Sequence, residues 1–554
     1  GKPENRDQDL HYTQLMQGFT NFLSDPLGER STHPFVNWAR QTLTITNSEQ
    51  LRAELAAWIK AHTAPNVEIQ ADLADLALIL EFALRVAVLS NRLNYLQREW
   101  RSVEGPLDLE SGSSALFHRP PEDYRAVIPT SPMGNVLAFQ YIRPGDDTQA
   151  AGDLRFFRCL GVGRWLLLHL HELFAGDGIA GPHVLLLSGT SWAGTSPRYH
   201  IQVPVSGILR APATEIDAIN RSGFERKFVA DRTGKLVRVS GTTGHGRVNA
   251  LHVILQDLAR RTRLSGGPGH LERVRDSLPD GRQRILLLVG SYDEARRARE
   301  FLENIRPEWR EYVLHLVPDD DRFDSQWQSS QIGLQRGMVS QFAQTDAWIL
   351  IAPLLAVERG HNILNEANQA AIGAVYFLVR PHPRPDDISY AVQSINHWAV
   401  AHDDDSDWFA EACGSAVDAA DLATTGAVFR STAYRRWRYL LRLPMIYSTL
   451  PAQERAAVTW SQLVTIWQVI GRLVRGGSPA QVFFCDAAFD PSSYRSADDT
   501  TPIGASLLTG MLDVLHPYFD EANTTVAPAD KVLVDTLYGP LYKALQQMKG
   551  TPDA

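Results

Sequence analysis

The sequence predicts an α/β fold: a single parallel sheet wrapped by helices and preceded by a helical region. Three observations carry that prediction. From residue 281 onward, short apolar runs alternate with longer amphipathic stretches, the order in which strands and helices build a parallel sheet. Those runs are apolar at consecutive positions, as strands covered on both faces require. Residues 35–100 carry instead the spacing of helices.

Bulk properties set limits before any motif is read. The chain has 554 residues, enough for roughly three or four domains. A 44% hydrophobic and 21% charged composition suits a globular protein with a real core. The formal net charge of -9 excludes coating of nucleic acid by bulk charge, so any such site is a local patch. Cys159, Cys413 and Cys485 lie too far apart for a zinc set or a four-thiolate cluster, and a reduced, cytoplasmic setting is the simplest expectation. Glu81 and Arg85 interrupt the apolar run Leu76 to Leu89, so no membrane span is expected. The sequence begins at Gly1-Lys2-Pro3 without methionine, and we expect it to be a piece of something longer.

Taken in order, residues 1–34 read as an irregular terminus. Ser48 reads as an N-cap ahead of Leu51, Leu55 and Ile59. The stretch 69–100 is apolar all round, which predicts a long buried or bundle helix. A Pro/Gly/Ser-rich linker follows at 101–132. Strand is expected at 135–142, helix at 156–174, and a buried parallel strand at His183–Leu187. A hairpin and loop are expected over 225–247, its tail Ser240–Arg247 glycine-rich but lacking the Gly-Lys-Ser/Thr of a P-loop. The main sheet draws on Ile285–Val289, Tyr312–Val317, Ala347–Ile351, Ala374–Val379 and Gln481–Asp486, with helices at 293–304, 334–344 and 458–475. Closing helices occupy 505–548. The resulting divisions are 1–132, 133–210, 211–280 and 281–554.

The most informative stretch is Gln468-Val469-Ile470-Gly471-Arg472-Leu473-Val474-Arg475. On a helix, Gln468, Arg472 and Arg475 share one face. Two guanidiniums so held suit a polyphosphate, although a solvated basic helix end has the same pattern. Three further segments precede it: Leu187-Ser188-Gly189-Thr190, Leu286–Tyr292, and Ala356–Asn362 with its successor Phe377–Pro385. In this order the four segments resemble motifs III, IV, V and VI of superfamily 2 helicases of the XPD/DinG type, over roughly residues 150–490.

That resemblance implies a RecA-like P-loop NTPase-type sheet as the second helicase domain (281–554), the remainder of a first RecA-like domain at 133–210, and an arch-like helical region at 1–132. It implies that Arg472 and Arg475 contact the γ-phosphate of ATP, oriented by Gln468. Glu358, Gly360, Asn362 and Gly471 would line the nucleotide, with Gly360 and its neighbours coupling it to DNA. Ser188 and Thr190 would bridge the two RecA-like domains and count with Ser291 and Tyr292 as nucleic-acid contacts, Ser291 touching the DNA backbone. The chain departs from the family in three ways. Asn362 stands where the family has Asp. No Walker A or DEAH motif occurs, and the iron–sulfur cysteines are absent. ATP and Mg²⁺ would therefore be shared with an N-terminal helicase half outside this sequence.

A basic-aromatic run, Tyr434 to Tyr439, adds Arg435, Arg436, Trp437 and Arg438 as candidates for single-stranded DNA. An amphipathic helix burying Trp437 is the alternative. Asp319–Asp321 and Asp403–Asp405 read as solvated acidic loops, and His169 and His171, two apart, point to different helix faces. The expectation is the C-terminal portion of an ATP-dependent DNA helicase, with 5′→3′ polarity implied by the family. The alternative is a non-catalytic helicase-like adaptor in a repair or defence complex.

Overall fold

The computed structural model describes residues 34–63, 72–104, 136–142, 153–159, 161–173, 175–261, 266–318, 333–357, 362–382, 388–402, 405–413, 422–491 and 505–550. The chain forms two compact units. One comprises Gly1–Val184 and Ile395–Arg438, the other Leu185–Ser394 and Tyr439–Ala554.

The first unit opens with the helices Pro34–Thr42, Ser48–His62 and Leu73–Glu104. Asn47 caps the second, its side chain accepting from Glu49 N at 2.9 Å and Gln50 N at 3.1 Å. The cap thus falls one residue before the expected Ser48, because the amide oxygen of Asn47 reaches two orphan donors at once. Ala39, Leu51, Leu55, Ala77, Leu80 and Leu84 form the core between the three helices. Within it Glu81 is 6% exposed and salt-bridged to Arg52 at 3.0 Å and Arg85 at 2.7 Å. Burial pushes its carboxyl up, but hydrogen bonds from both guanidiniums outweigh that and hold it below the usual range.

Two strands follow, β1 (Val136–Ile142) and β2 (Asp153–Cys159), paired antiparallel with Val136 opposite Cys159. The helix expected over 156–174 is confined to Gly163–His169 and a 3₁₀ turn at Leu170–Glu172. Pairing with β1 along all seven residues holds Asp153–Cys159 extended, where the aromatic Phe156-Phe157 pair favours strand. The 3₁₀ turn also brings His169 Nδ1 (3.1 Å) and His171 Nε2 (3.3 Å) to the same Glu172 carboxylate. Trp398, Trp408, Phe409 and Phe429 pack in edge-on, tilted and stacked pairs at centroid distances of 4.9–5.9 Å, joining the helices around them. Of the two acidic loops, only Asp405 lies among the described residues, accepting from Trp408 N.

The second unit holds a seven-stranded sheet, every pair in it parallel: β3 (Gly223–Arg226), β4 (Arg284–Val289), β5 (Val313–Val317), β6 (Gly333–Gln335), β7 (Ile349–Pro353), β8 (Ile372–Phe377) and β9 (Gln481–Phe484), in the order β3-β9-β8-β4-β7-β5-β6. This is the α/β, RecA-like class of sheet that the sequence predicts. β7 and β8 are buried along their whole length and β4 along all but its first residue, as their unbroken apolar sequence requires. The helices Gly244–Ala259, Tyr292–Ile305 and Ala452–Leu473 contribute buried residues on their inner faces. From β4 the chain crosses toward β5, and from β8 it crosses the other way to β9. The strand-end edge therefore divides between β4 and β8, where open α/β sheets form a crevice.

Three local expectations are corrected. His183–Leu187 is not a strand: residues 179–212 hold neither helix nor strand, and Leu185 and Leu187 are 80% and 84% exposed. Apolar content alone does not make a strand when no neighbouring strand pairs with it. The helix expected at 334–344 is instead β6 followed by a 3₁₀ helix, Arg336–Gln344. Between β3 and the helix that begins at Gly244, residues 227–243 form no hairpin strands, only an antiparallel bridge between Ala230 and Leu236. The glycine-rich tail turns helical at Gly244.

Candidate functional site

The helix Ala452–Leu473 organises the candidate site. Ser461, Thr465, Gln468 and Arg472 fall on one of its faces, at i, i+4, i+7 and i+11. The first three each meet a residue of the irregular segment 190–200. Ser461 Oγ lies 2.9 Å from Ser196 Oγ, Thr465 Oγ1 lies 2.9 Å from Tyr199 OH, and Gln468 Nε2 donates to Thr190 Oγ1 at 2.8 Å. Ser461 and Thr465 give their own hydrogens back to the helix carbonyls of Ala457 and Ser461. Each hydroxyl has one hydrogen, so Ser196 and Tyr199 must be the donors across the gap. The segment is fixed from behind as well. Trp192 packs edge-on against Trp460 and Tyr518, and Tyr538 OH donates to Trp192 O at 2.7 Å.

Thr190 and Gln468, named from two separate motifs, are thus in direct contact. Ser188 is exposed, its Oγ accepting from Thr190 N at 3.2 Å. The Gln468 carbonyl oxygen is buried and has no hydrogen-bond partner, one turn before Arg472. Arg472 is half-buried at the end of the helix.

Arg475 lies beyond the helix, not on it. The helix ends at Leu473, and Gly476 and Gly477 turn the chain with φ of +74° and +68°. The side chain of Arg475 is exposed. Its carbonyl accepts from Ala370 N at 3.1 Å, which seats the turn against the loop 362–371 that leads into β8. Asn362 is exposed at the start of that loop; Glu358 and Gly360 lie outside the described residues. Apart from its chain neighbours and its own helix backbone, nothing lies within 4 Å of where a Cβ on Gly471 would stand. The Arg475 turn and the loop 362–371 therefore meet at the strand-start edge of the sheet.

Arg282, which sequence reasoning missed, joins these two loops. It is 1% exposed. Its guanidinium donates to Ala370 O at 2.9 Å, Ile372 O at 3.3 Å, Leu473 O at 2.5 Å and Pro479 O at 2.6 Å. It satisfies the orphan carbonyl of the helix end and both flanking loops together. Burial pushes its pKa down. The one available signal was an arginine two residues before an apolar strand, which is common on surfaces too.

At the opposite, strand-end edge stand Ser291 and Tyr292. Ser291 N-caps the helix Tyr292–Ile305 by accepting from Glu294 N at 3.2 Å. It opens on a cavity of about 340 Å³ lined by Gly244, His245, Arg247, His252 and Arg297. Two helix N-termini face this cavity, but Glu294 holds Arg247 in a salt bridge at 2.5 Å. Close by, Asp486 gathers four backbone donors: Val239 and Ala488 at 3.0 Å, Ser240 at 2.9 Å and Arg380 at 3.2 Å. Arg380 lies over the Tyr447 ring, 5.2 Å from its centroid. His382 Nε2–H donates to Met445 O at 2.6 Å while Nδ1 accepts from Gln462 Nε2 at 3.0 Å, which fixes a neutral tautomer. Burial, helped by Arg380, pushes its pKa down to about 4. The rest of the proline-spaced stretch, 383–385, lies outside the described residues.

The basic-aromatic run is helical within Leu422–Arg442. Trp437 is only 7% exposed, so its ring belongs to the interior and not to a stacking face. Arg435 is exposed, Arg436 and Arg438 are half-buried, and Tyr439 is 41% exposed. The helical period sets Arg435 and Tyr439 on the outer side, four residues apart.

The described residues contain no group of three or more His, Cys, Asp or Glu arranged to hold a metal ion. No described helix is long and apolar enough to cross a membrane. Comparison with protein-family models and with curated proteins finds no match.

Proposed function

We propose that this chain supplies the second motor domain of a DNA helicase of the XPD/DinG type. In that reading Arg472 and Arg475 act on a nucleotide held mainly by a separate N-terminal half. The observation that carries the reading is the convergence of the motif residues. Thr190 bonds Gln468, and the Arg475 turn seats on the loop that begins at Asn362. These segments are far apart in sequence; the resemblance implies that Thr190 bridges domains and contacts DNA while Gln468, Arg475 and Asn362 serve the nucleotide, and the bonds between them are what a coupled site would need.

The residues at the strand-start edge suit a polyphosphate. Two guanidiniums stand at a helix end beside a glycine turn, which lets phosphate oxygens approach the backbone. ATP, when bound, supplies the transferable γ-phosphoryl group and its charge. Arg472 is positioned by the helix and Arg475 by the turn. Together they offer planar, bidentate donors to charge spread over several oxygens. Mg²⁺ does not fit these residues, which offer no carboxylate set, and its ligands are assigned to the other half. Single-stranded DNA would lie along the strand-end edge near Ser291, with phosphate contacts that position it.

The test is single-strand-stimulated ATP hydrolysis by the chain joined to the polypeptide encoded upstream. Turnover that disappears in Arg475→Ala, and is not restored by Arg475→Lys, is expected. Normal turnover in Arg475→Ala would sink the assignment. Strand binding without turnover, even with the upstream partner, would favour the adaptor reading, which the missing Walker A lysine keeps in play.

A further inference from the structure

The helix Leu422–Arg442 carries positive charge with no acidic residue on its own stretch to offset it. From Leu422 to Gln453 the sequence holds five arginines, no lysine and no Asp or Glu, in a chain whose formal net charge is -9. Other arginines at the surface are neutralised locally. Arg296 and Arg297 share Asp293 at 2.7 Å, Arg261 holds Glu308 at 2.9 Å and Arg275 holds Asp276 at 2.7 Å. Arg435 and Arg442, by contrast, are exposed and form no ion pair with any described residue. Arg435 donates to Thr432 Oγ1 at 3.0 Å, a neutral partner that leaves the charge in place.

The helical period gathers this charge on one side. Arg435, Arg438, Tyr439 and Arg442 follow at i, i+3, i+4 and i+7, which is one face of the helix. Ala433, Trp437 and Leu440 fall on the opposite face and are 0%, 7% and 3% exposed. The apolar side is thus taken up by the interior. The outward side presents three guanidiniums and a tyrosine that is 41% exposed.

We propose that this outward face is a docking surface for single-stranded nucleic acid, held by its phosphates. Three features select that partner. Arginine without lysine suits phosphate oxygens, which a planar guanidinium meets with two donors at once. The rise from Arg435 to Arg442 is about 10 Å, and a strand carries a charge about every 3.4 Å, so three guanidiniums face about three phosphates. Tyr439, set among the arginines, offers a ring to an unstacked base, a group that an acidic peptide lacks. A membrane surface fits less well, because a helix lying on lipid needs a free apolar face and here that face is buried. The surface requires no nucleotide and is independent of the motor reading above.

The experiment is binding of the full chain to a fluorescein-labelled oligothymidylate, read by anisotropy without ATP across a salt series. Each phosphate neutralised on a single strand contributes about 0.7 to the slope of log affinity against log salt. Arg435→Gln with Arg442→Gln should lower that slope by about 1.4 and weaken binding about tenfold. Arg261→Gln with Arg275→Gln removes the same charge from paired positions and should leave the slope as it is. Tyr439→Leu should weaken binding about fivefold at an unchanged slope. If the double glutamine variant lost helix content, its two single variants would decide, each with half the fall in slope. No binding by the parent chain, an equal fall in the control pair, full affinity in Tyr439→Leu, or equal binding of a polyglutamate peptide or of phosphatidylserine vesicles would overturn the proposal. Strand binding with a slope unmoved by the Arg435 and Arg442 changes would overturn this surface alone and leave the motor reading standing.

Discussion

Gln468 and Thr190, 278 residues apart, share a hydrogen bond of 2.8 Å in which the amide nitrogen donates and the hydroxyl accepts. The bond joins the helix Ala452–Leu473 to a segment with no secondary structure of its own. The other end of the Gln468 amide is buried without a partner. The contact is thus both the clasp of that segment and a polar group left half-satisfied one turn before Arg472.

Thr190→Val removes the acceptor and leaves both ends of the amide unmet. It should cost about 1–2 kcal/mol, while Thr190→Val with Gln468→Leu should cost less than the sum of the single changes. A double-mutant cycle by urea unfolding checks this. Additive losses would show that the two side chains do not interact.

Arg282→Met leaves four backbone carbonyls without their donor in a buried place. The expected loss is about 3 kcal/mol or more. Arg282→Lys should recover little of it, because a single ammonium cannot span acceptors spread over three segments. Denaturant midpoints of the three proteins provide the measurement.

Two glycines on or beside the same helix should respond in opposite directions. A Cβ on Gly194, whose φ is +49°, would stand 2.3 Å from Trp460 Cε2. Gly194→Ala should therefore destabilise by about 2 kcal/mol or more and shift the tryptophan fluorescence. Gly471 lies inside the helix with open space around it. Gly471→Ala should raise stability by about 0.5–1 kcal/mol. Lost turnover in that more stable protein, once joined to its other half, would mean that the nucleotide needs the bare backbone there.

Acid should loosen the strand-end edge. His382 is held down to about 4 by burial and by Arg380. In the unfolded chain it takes a proton near its ordinary 6.5. Its stabilising effect is therefore complete above about pH 6.5 and is lost as pH falls toward 4, by about 3 kcal/mol in all. Gln at this position can make the same two hydrogen bonds without titrating. His382→Gln should leave stability near neutral pH within about 1 kcal/mol and flatten its decline in acid. His270, also pushed to about 4 by burial, accounts for part of the slope that remains.

The sheet was legible where burial on both faces left a continuous apolar run. Ile285, Ile349, Ala374 and Val482 all lie in strands that the sequence predicts, displaced by a residue or two. β3 was missed because Gly223–Arg226 is a short, half-exposed edge strand whose composition is that of a loop. His183–Leu187 was misread for the opposite reason, since its apolar residues have no adjacent strand to join. Motif order named Thr190 and Gln468, which the structure places in contact, and Arg475, which was expected on the helix face but lies past the helix end. Arg282 and Asp486 were invisible because each acts through backbone atoms, and backbone partners leave no trace in side-chain spacing. Trp437 was misplaced because an aromatic ring between arginines looks the same in sequence whether the helix turns it inward or outward.

One further consequence lies in what Arg282 grips. The same rigid guanidinium holds the last carbonyl of the Arg472 helix and the carbonyls that open β8, and bonds within a planar group cannot lengthen independently. A tug on the Arg475 turn is therefore delivered to the Asn362 loop through a linkage that no ligand touches. The two loops behave as one jaw: whatever displaces either must carry the other along or break the core beneath them.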